Sequence, residues 1–145
     1  MTDKLAKIQN WLNENQLDVA YFSDFHSISY LTGFESDPIE RVLALVVFPQ
    51  DEPFIFAPAL EVEAVKGAGW THPVYGYQDH EQPYQLIAQH LHAHTQHATT
   101  WAVEKGQMTL DRAAALQTAV PDAKFVGDLS PVMVEMHLIK TPDEI

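Results

Sequence analysis

Segments of helical and strand period alternate along almost the whole of this 145-residue chain. That alternation predicts an α/β domain: three layers, α/β/α, around a mixed, mostly parallel sheet with one antiparallel hairpin. Two observations sharpen the class. Arg41-Val-Leu-Ala-Leu-Val-Val-Phe48 is almost continuously apolar, as a central strand covered on both faces must be. Pro49-Gln-Asp-Glu-Pro53 then makes a turn before a second apolar run, Phe54-Ile-Phe-Ala57, so these two strands are expected to pair antiparallel.

The remaining elements follow in order. Leu5, Ile8, Trp11 and Leu12 recur at helical spacing and predict an amphipathic helix over 3–16. Asp18-Val-Ala-Tyr-Phe-Ser23 predicts a short buried strand. Ile28 and Leu31, closed by Gly33, predict a short helix with Asp24 or Ser23 as N-cap and the glycine as C-cap. Residues 60–66 predict a helix stopped by Gly67 and Gly69, and 73–77 a short strand. Tyr84, Ile87, Ala88 and Leu91 mark a helix over 82–96. Strands at 99–103 and 124–127 flank a helix over 109–120, and a last helix runs over 129–139 with Ser130 and Pro131 near its start. Trp11, Tyr30 and Phe34 are expected to be at least partly buried.

Composition bounds the function. Hydrophobic residues make up 46% of the chain, enough for a real core. No apolar run reaches the ~20 residues of a membrane span, and Met1-Thr-Asp-Lys-Leu5 lacks the pattern of a signal peptide, so the expected location is the cytoplasm. With no cysteine, disulfides, thiolate metal sites and cysteine nucleophiles are excluded. A formal charge of −12 argues against nucleic acid and against an anionic membrane surface. The charge either keeps the protein dispersed or funnels cationic ligands toward it.

Few residues carry chemistry. His90, His94 and His97 stand at i, i+4 and i+7 along the helix expected over about 82–96, where imidazoles one turn apart could share a metal. The same stripe flanks the core positions Ile87 and Leu91, where polar residues ordinarily sit, and no Glu follows His90 as a zinc-protease helix requires. There is no Gly-x-Ser-x-Gly elbow and no glycine-rich phosphate loop. The segment Phe34-Glu-Ser-Asp-Pro-Ile-Glu-Arg41 concentrates three carboxylates, an arginine and a proline between a short helix and the central strand. It reads either as a connector with local charge pairing or as a binding loop held by a rigid sheet.

The end of the chain carries a helix start. Thr141 offers an N-cap hydroxyl, Pro142 fits the first helical position, and Glu144 stands where a capping box wants a carboxylate. The expectation is a longer protein, with residues 1–140 as one domain and 141–145 opening the next.

Two segments resemble a known family. Ile28-Ser-Tyr-Leu-Thr-Gly-Phe34 is similar to the signature of the N-terminal domain in the creatinase, prolidase and aminopeptidase P family. Met136-His-Leu-Ile-Lys-Thr-Pro-Asp-Glu-Ile145 resembles the junction at which that family's catalytic "pita-bread" domain begins. The loop with Ser36, Asp37, Pro38, Glu40 and Arg41, followed by the apolar strand, resembles the family's bacterial Xaa-Pro dipeptidases. Two positions depart from the pattern: His137 stands where the junction often carries Arg, and Ile39 where the loop carries His.

The resemblance implies a hydrolase of the bond before proline, with two divalent ions, manganese or cobalt, activating a bridging water. It places all five metal ligands beyond residue 145, so no catalytic or metal-ligating residue is assigned in this chain. It further implies a homodimer, a proline-containing dipeptide as substrate, and a loop reaching the partner subunit's active site. On that loop Asp37, Ile39, Glu40 and Arg41 are the substrate-proximal residues, with Asp37 suited to an ammonium group and Arg41 to a carboxylate. The alternatives are a stand-alone small-ligand-binding α/β module, the N-terminal domain of an aminopeptidase P, or an inactive member of the family.

Overall fold

The computed structural model describes residues 2–35 and 41–138. In chain order the elements are α1 (Thr2–Glu14), β1 (Val19–Phe22), α2 (Phe25–Thr32), β2 (Ala44–Val47), β3 (Phe54–Pro58), a 3₁₀ turn (Ala59–Glu61), α3 (Val62–Gly67), β4 (Val74–Tyr77), α4 (Pro83–His94), β5 (Thr100–Val103), α5 (Leu110–Ala119), β6 (Lys124–Asp128) and α6 (Ser130–Leu138). The strands form one six-stranded sheet in the order β4-β3-β2-β1-β5-β6. β2 is antiparallel to both its neighbours, and the other pairings are parallel. The expected hairpin is therefore present, and its first strand is the sheet's reversed strand.

Alternation along each strand sends side chains to two separate cores. On one face Ala20, Phe22, Leu45, Val47, Ile55, Ala57 and Ala102 meet α1, α2, α3 and α6 through Ile8, Leu12, Ile28, Leu31, Val65 and Met133. On the other face Val19, Tyr21, Ala44, Val46, Phe54, Phe56, Trp101 and Val103 meet α4 and α5 through Ile87, Leu91 and Leu116. Both faces of β2 are fully buried, which explains why its sequence runs apolar without alternation. Trp11 and Tyr30 pack partly buried against the first core, and Phe34 is 2% exposed.

One close approach needs glycine. The β5–β6 register is irregular between Trp101 and Ala102, so that Trp101 pairs with Phe125 but Ala102 with Gly127. A Cβ on Gly127 would lie 2.9 Å from the Ala102 Cβ and 3.0 Å from a Leu17 methyl, closer than packed carbons tolerate.

Several boundaries differ from the sequence expectation: β2 occupies only 44–47 of the expected 41–48, and α1 ends at Glu14 rather than at 16. The helix expected over 60–66 opens as the 3₁₀ turn and becomes α-helical only at Val62. The helix expected to reach 96 ends at His94, because Thr95 takes an extended conformation as its C-cap. His97 therefore lies off the helix, and the three-histidine stripe is reduced to His90 and His94.

Candidate functional site

The expected substrate-proximal residues Asp37, Ile39 and Glu40 lie outside the described residues; Arg41 lies within them. What the structure describes is how the chain enters and leaves the segment between Glu35 and Arg41.

The entry is α2. Asp24 is its N-cap, in extended conformation, with a side-chain oxygen accepting from the Ser27 N–H at 3.3 Å. A second carboxylate reaches the same helix start from a distant strand. Glu104 follows β5, and because β5 is parallel to β1 it arrives where β1 ends and α2 begins. One of its oxygens accepts from the Ser23 N–H at 3.0 Å and the Asp24 N–H at 3.1 Å. The other accepts from the Ser27 hydroxyl at 2.6 Å. Glu104 is 2% exposed. Burial raises its pKa above the ordinary carboxylate value, although its three hydrogen bonds and the charge-bearing form they favour pull the other way. A cavity of about 400 Å³ opens beside it, lined by Asp24, His26, Ser27, Glu104, Met133 and Val134 among others.

The far end of α2 is held as firmly. Gly33 closes the helix in the left-handed region at φ 80°, donating its N–H to the Ser29 carbonyl. The Thr32 hydroxyl donates to the Ile28 carbonyl at 2.6 Å and accepts from the Phe34 N–H at 3.1 Å. Phe34 then enters the core, so the loop starts from a fixed point.

The exit is built differently. The Val42 N–H donates to the Tyr77 hydroxyl at 2.7 Å, and the Tyr77 ring stacks on Phe56 with centroids 4.9 Å apart. Arg41 itself is exposed, with its guanidinium 3.3 Å from a carboxylate oxygen of Asp79. Since β2 starts where its antiparallel neighbours β1 and β3 end, entry cap and exit lie at the same end of these central strands.

The histidines serve packing. His90 lies flat on Tyr75, with centroids 3.7 Å apart and planes 4° from parallel. The two ring nitrogens of His94 pair with the Tyr75 hydroxyl at 2.8 Å and the Glu52 carbonyl at 2.7 Å. Burial and the neighbouring His94 lower the His90 pKa, favouring the neutral ring. Both His94 nitrogens being engaged, this pair does not suit a metal ion. Among the described residues there is no group of three or more histidine, aspartate or glutamate side chains that could hold one. Among them, too, no helix is long and apolar enough to cross a membrane.

Glu104 escaped the sequence reading because it touches its partners across some eighty positions of chain. A signal was present: a carboxylate at the end of a buried strand, directly after Trp101-Ala-Val103, is out of place in an apolar run.

The comparisons with known proteins bear on the whole chain. The family profile of the Creatinase/Prolidase N-terminal domain matches residues 4–139. The chain is 43% identical over 141 residues to an Xaa-Pro dipeptidase of Lactobacillus helveticus, and equally so to one of Lactobacillus delbrueckii subsp. lactis. In each case the match takes in 97% of this chain but 38% of the relative. Among solved structures, the N-terminal domain of an Xaa-Pro dipeptidase from Lactobacillus brevis superposes with a TM-score of 0.86 at 47% identity, covering 92% of this chain and 99% of that one. A proline dipeptidase structure from Streptococcus pneumoniae gives a TM-score of 0.86 at 42% identity, covering 94% and 98%. The six-stranded sheet with its single reversed strand is thus that of a known domain type: this chain belongs to the creatinase/prolidase N-terminal domain family.

Proposed function

We propose that this chain is the N-terminal, non-catalytic domain of a two-metal Xaa-Pro dipeptidase, and that it contributes dimerisation and an active-site-proximal loop. The observation that carries the reading is the 43% identity to Xaa-Pro dipeptidases along 97% of this chain, confined to 38% of their length. In this reading residues 1–140 form the N-terminal domain and 141–145 open the catalytic one. The metal pair, manganese or cobalt, belongs to that catalytic domain, where it supplies an activated water. The parent acts in the cytoplasm, as a homodimer, on dipeptides ending in proline.

The contribution of this chain is binding and orientation. The loop springs from a helix locked at both ends and returns beside Tyr77, so its entry and exit are rigid while Asp37, Ile39 and Glu40 lie between them. Asp37 engages the dipeptide's ammonium group and Arg41 its carboxylate, each a charge-assisted contact. Asp79 meets the Arg41 guanidinium at 3.3 Å on the exposed surface, a pair that water leaves easy to exchange for a ligand carboxylate. Ile39 offers an apolar surface to the proline ring.

The test is Asp37→Ala in the full-length protein, assayed with Leu-Pro and manganese. A fall in kcat/KM of roughly ten- to a hundredfold, the loss of one such contact, is expected. Wild-type kinetics on several Xaa-Pro dipeptides would return the loop to the status of a connector. The 145-residue chain alone, given manganese and Leu-Pro, is expected to release no proline; purification-resistant release would overturn the non-catalytic assignment.

A further inference from the structure

We infer that Glu104 is a positioning residue for the end of α2 from which residues 35–41 depart; its kinetic consequence rests on the function proposed above. The argument starts from a redundancy. Asp24 already caps α2 by accepting from the Ser27 N–H. Helix formation therefore does not require Glu104. Yet Glu104 is buried to 2% exposure and spends its two oxygens on the Ser23 N–H, the Asp24 N–H and the Ser27 hydroxyl. Burying a carboxylate is costly, and apolar packing would stabilise such a spot at least as well. What a carboxylate does that a hydrocarbon cannot is fix direction. Three hydrogen bonds from one side chain of β5 set where α2 begins and how it is turned.

That setting is transmitted to the loop without a soft joint. Ile28 and Leu31 are fully buried in the first core. The Thr32 hydroxyl ties the last turn to the Phe34 N–H, and Phe34 is 2% exposed. From the Glu104 carboxylate to the first loop residue, every link is a hydrogen bond or a buried side chain. A shift at the start of α2 must therefore move the loop's departure point.

Amide exchange on the 145-residue chain tests this directly, since a domain of the same extent has been solved by itself. Glu104→Gln keeps the shape but replaces charge-assisted bonds with neutral ones, and Ser27→Ala removes one of the three donors. Leu116→Val, in the core on the opposite face, is the control for general loss of stability. Exchange at Gly33 and Phe34 is expected to quicken by about fivefold in Glu104→Gln and less in Ser27→Ala, but not in Leu116→Val. In the full-length enzyme Glu104→Gln is expected to raise KM for Leu-Pro about fivefold while kcat stays within about twofold.

Unchanged exchange at Gly33 and Phe34 in both variants, or an equal rise in Leu116→Val, would overturn the inference. So would wild-type KM in Glu104→Gln where Asp37→Ala is impaired. Should Asp37→Ala and Arg41→Ala both show wild-type kinetics, the loop's part in substrate binding falls, and the exchange rates alone decide whether Glu104 sets its position. If Glu104→Gln does not fold, Ser27→Ala carries both arms.

Discussion

The two anchors of the loop are made of opposite materials. At its entry, a 2% exposed carboxylate binds two backbone amides and a hydroxyl. At its exit, an exposed arginine faces an exposed aspartate at 3.3 Å. Coulomb's law alone would make the second, a formal ion pair, the stronger. Water reverses the order. Exposed pairs are screened and lose side-chain entropy, so most contribute little to stability. A buried carboxylate with satisfied lone pairs cannot be released without stranding its donors. The Glu104 contacts are thus built to hold and the Arg41–Asp79 pair to let go, which suits the ligand contact proposed for Arg41.

The largest way to break this contrast is Glu104→Ala. It strands three donors and opens a cavity, and about 3 kcal/mol of unfolding free energy is expected to be lost. A urea midpoint shift corresponding to well under 1 kcal/mol would mean that water replaces the carboxylate freely, and the entry would be no more rigid than the exit.

A pH series sharpens the same contrast. Burial raises the Glu104 pKa in the folded state above its unfolded value. Its contribution to stability is therefore fully present below the ordinary glutamate pKa and is lost as pH rises through the raised folded value. Measured as a difference from Glu104→Gln, which cannot titrate, the wild type's relative stability should decline across that window. A difference that rises with pH would show that the three hydrogen bonds outweigh burial.

The smallest effect belongs to the exit. Asp79→Ala removes the partner of Arg41, and a stability change of no more than about 0.5 kcal/mol is expected. A loss above about 1.5 kcal/mol would make the exit as structural as the entry.

The legibility of these regions in the sequence followed the range of the forces that build them. The sheet was readable because burial on two faces imposes continuous apolar runs, as in Leu43 to Phe48, and because Pro49 and Pro53 bracket a turn. α2 was readable down to its Gly33 terminus and to a cap at Ser23 or Asp24, of which the structure uses Asp24, since capping is local chemistry. The end of α4 was not: side-chain periodicity continues to His97, while Thr95 turns extended and its hydroxyl accepts from the His97 N–H. Local side-chain bonding of that kind competes with helix propagation. Glu104 was invisible for the opposite reason, since its meaning comes entirely from a parallel pairing that brings the ends of β1 and β5 together. The loop itself stood out by charge density, and Arg41 alone of its four expected site residues lies within the described residues, just before β2.

The central claim is that entry and exit divide their labour between fold and substrate. It is tested most directly by measuring melting temperature and kcat/KM on Leu-Pro for Arg41→Ala in the full-length protein. The account predicts a melting temperature within about 2 °C of wild type and a kcat/KM lowered roughly ten- to a hundredfold. Wild-type kinetics, or a fall in activity matched by a fall of many degrees in melting temperature, would contradict it.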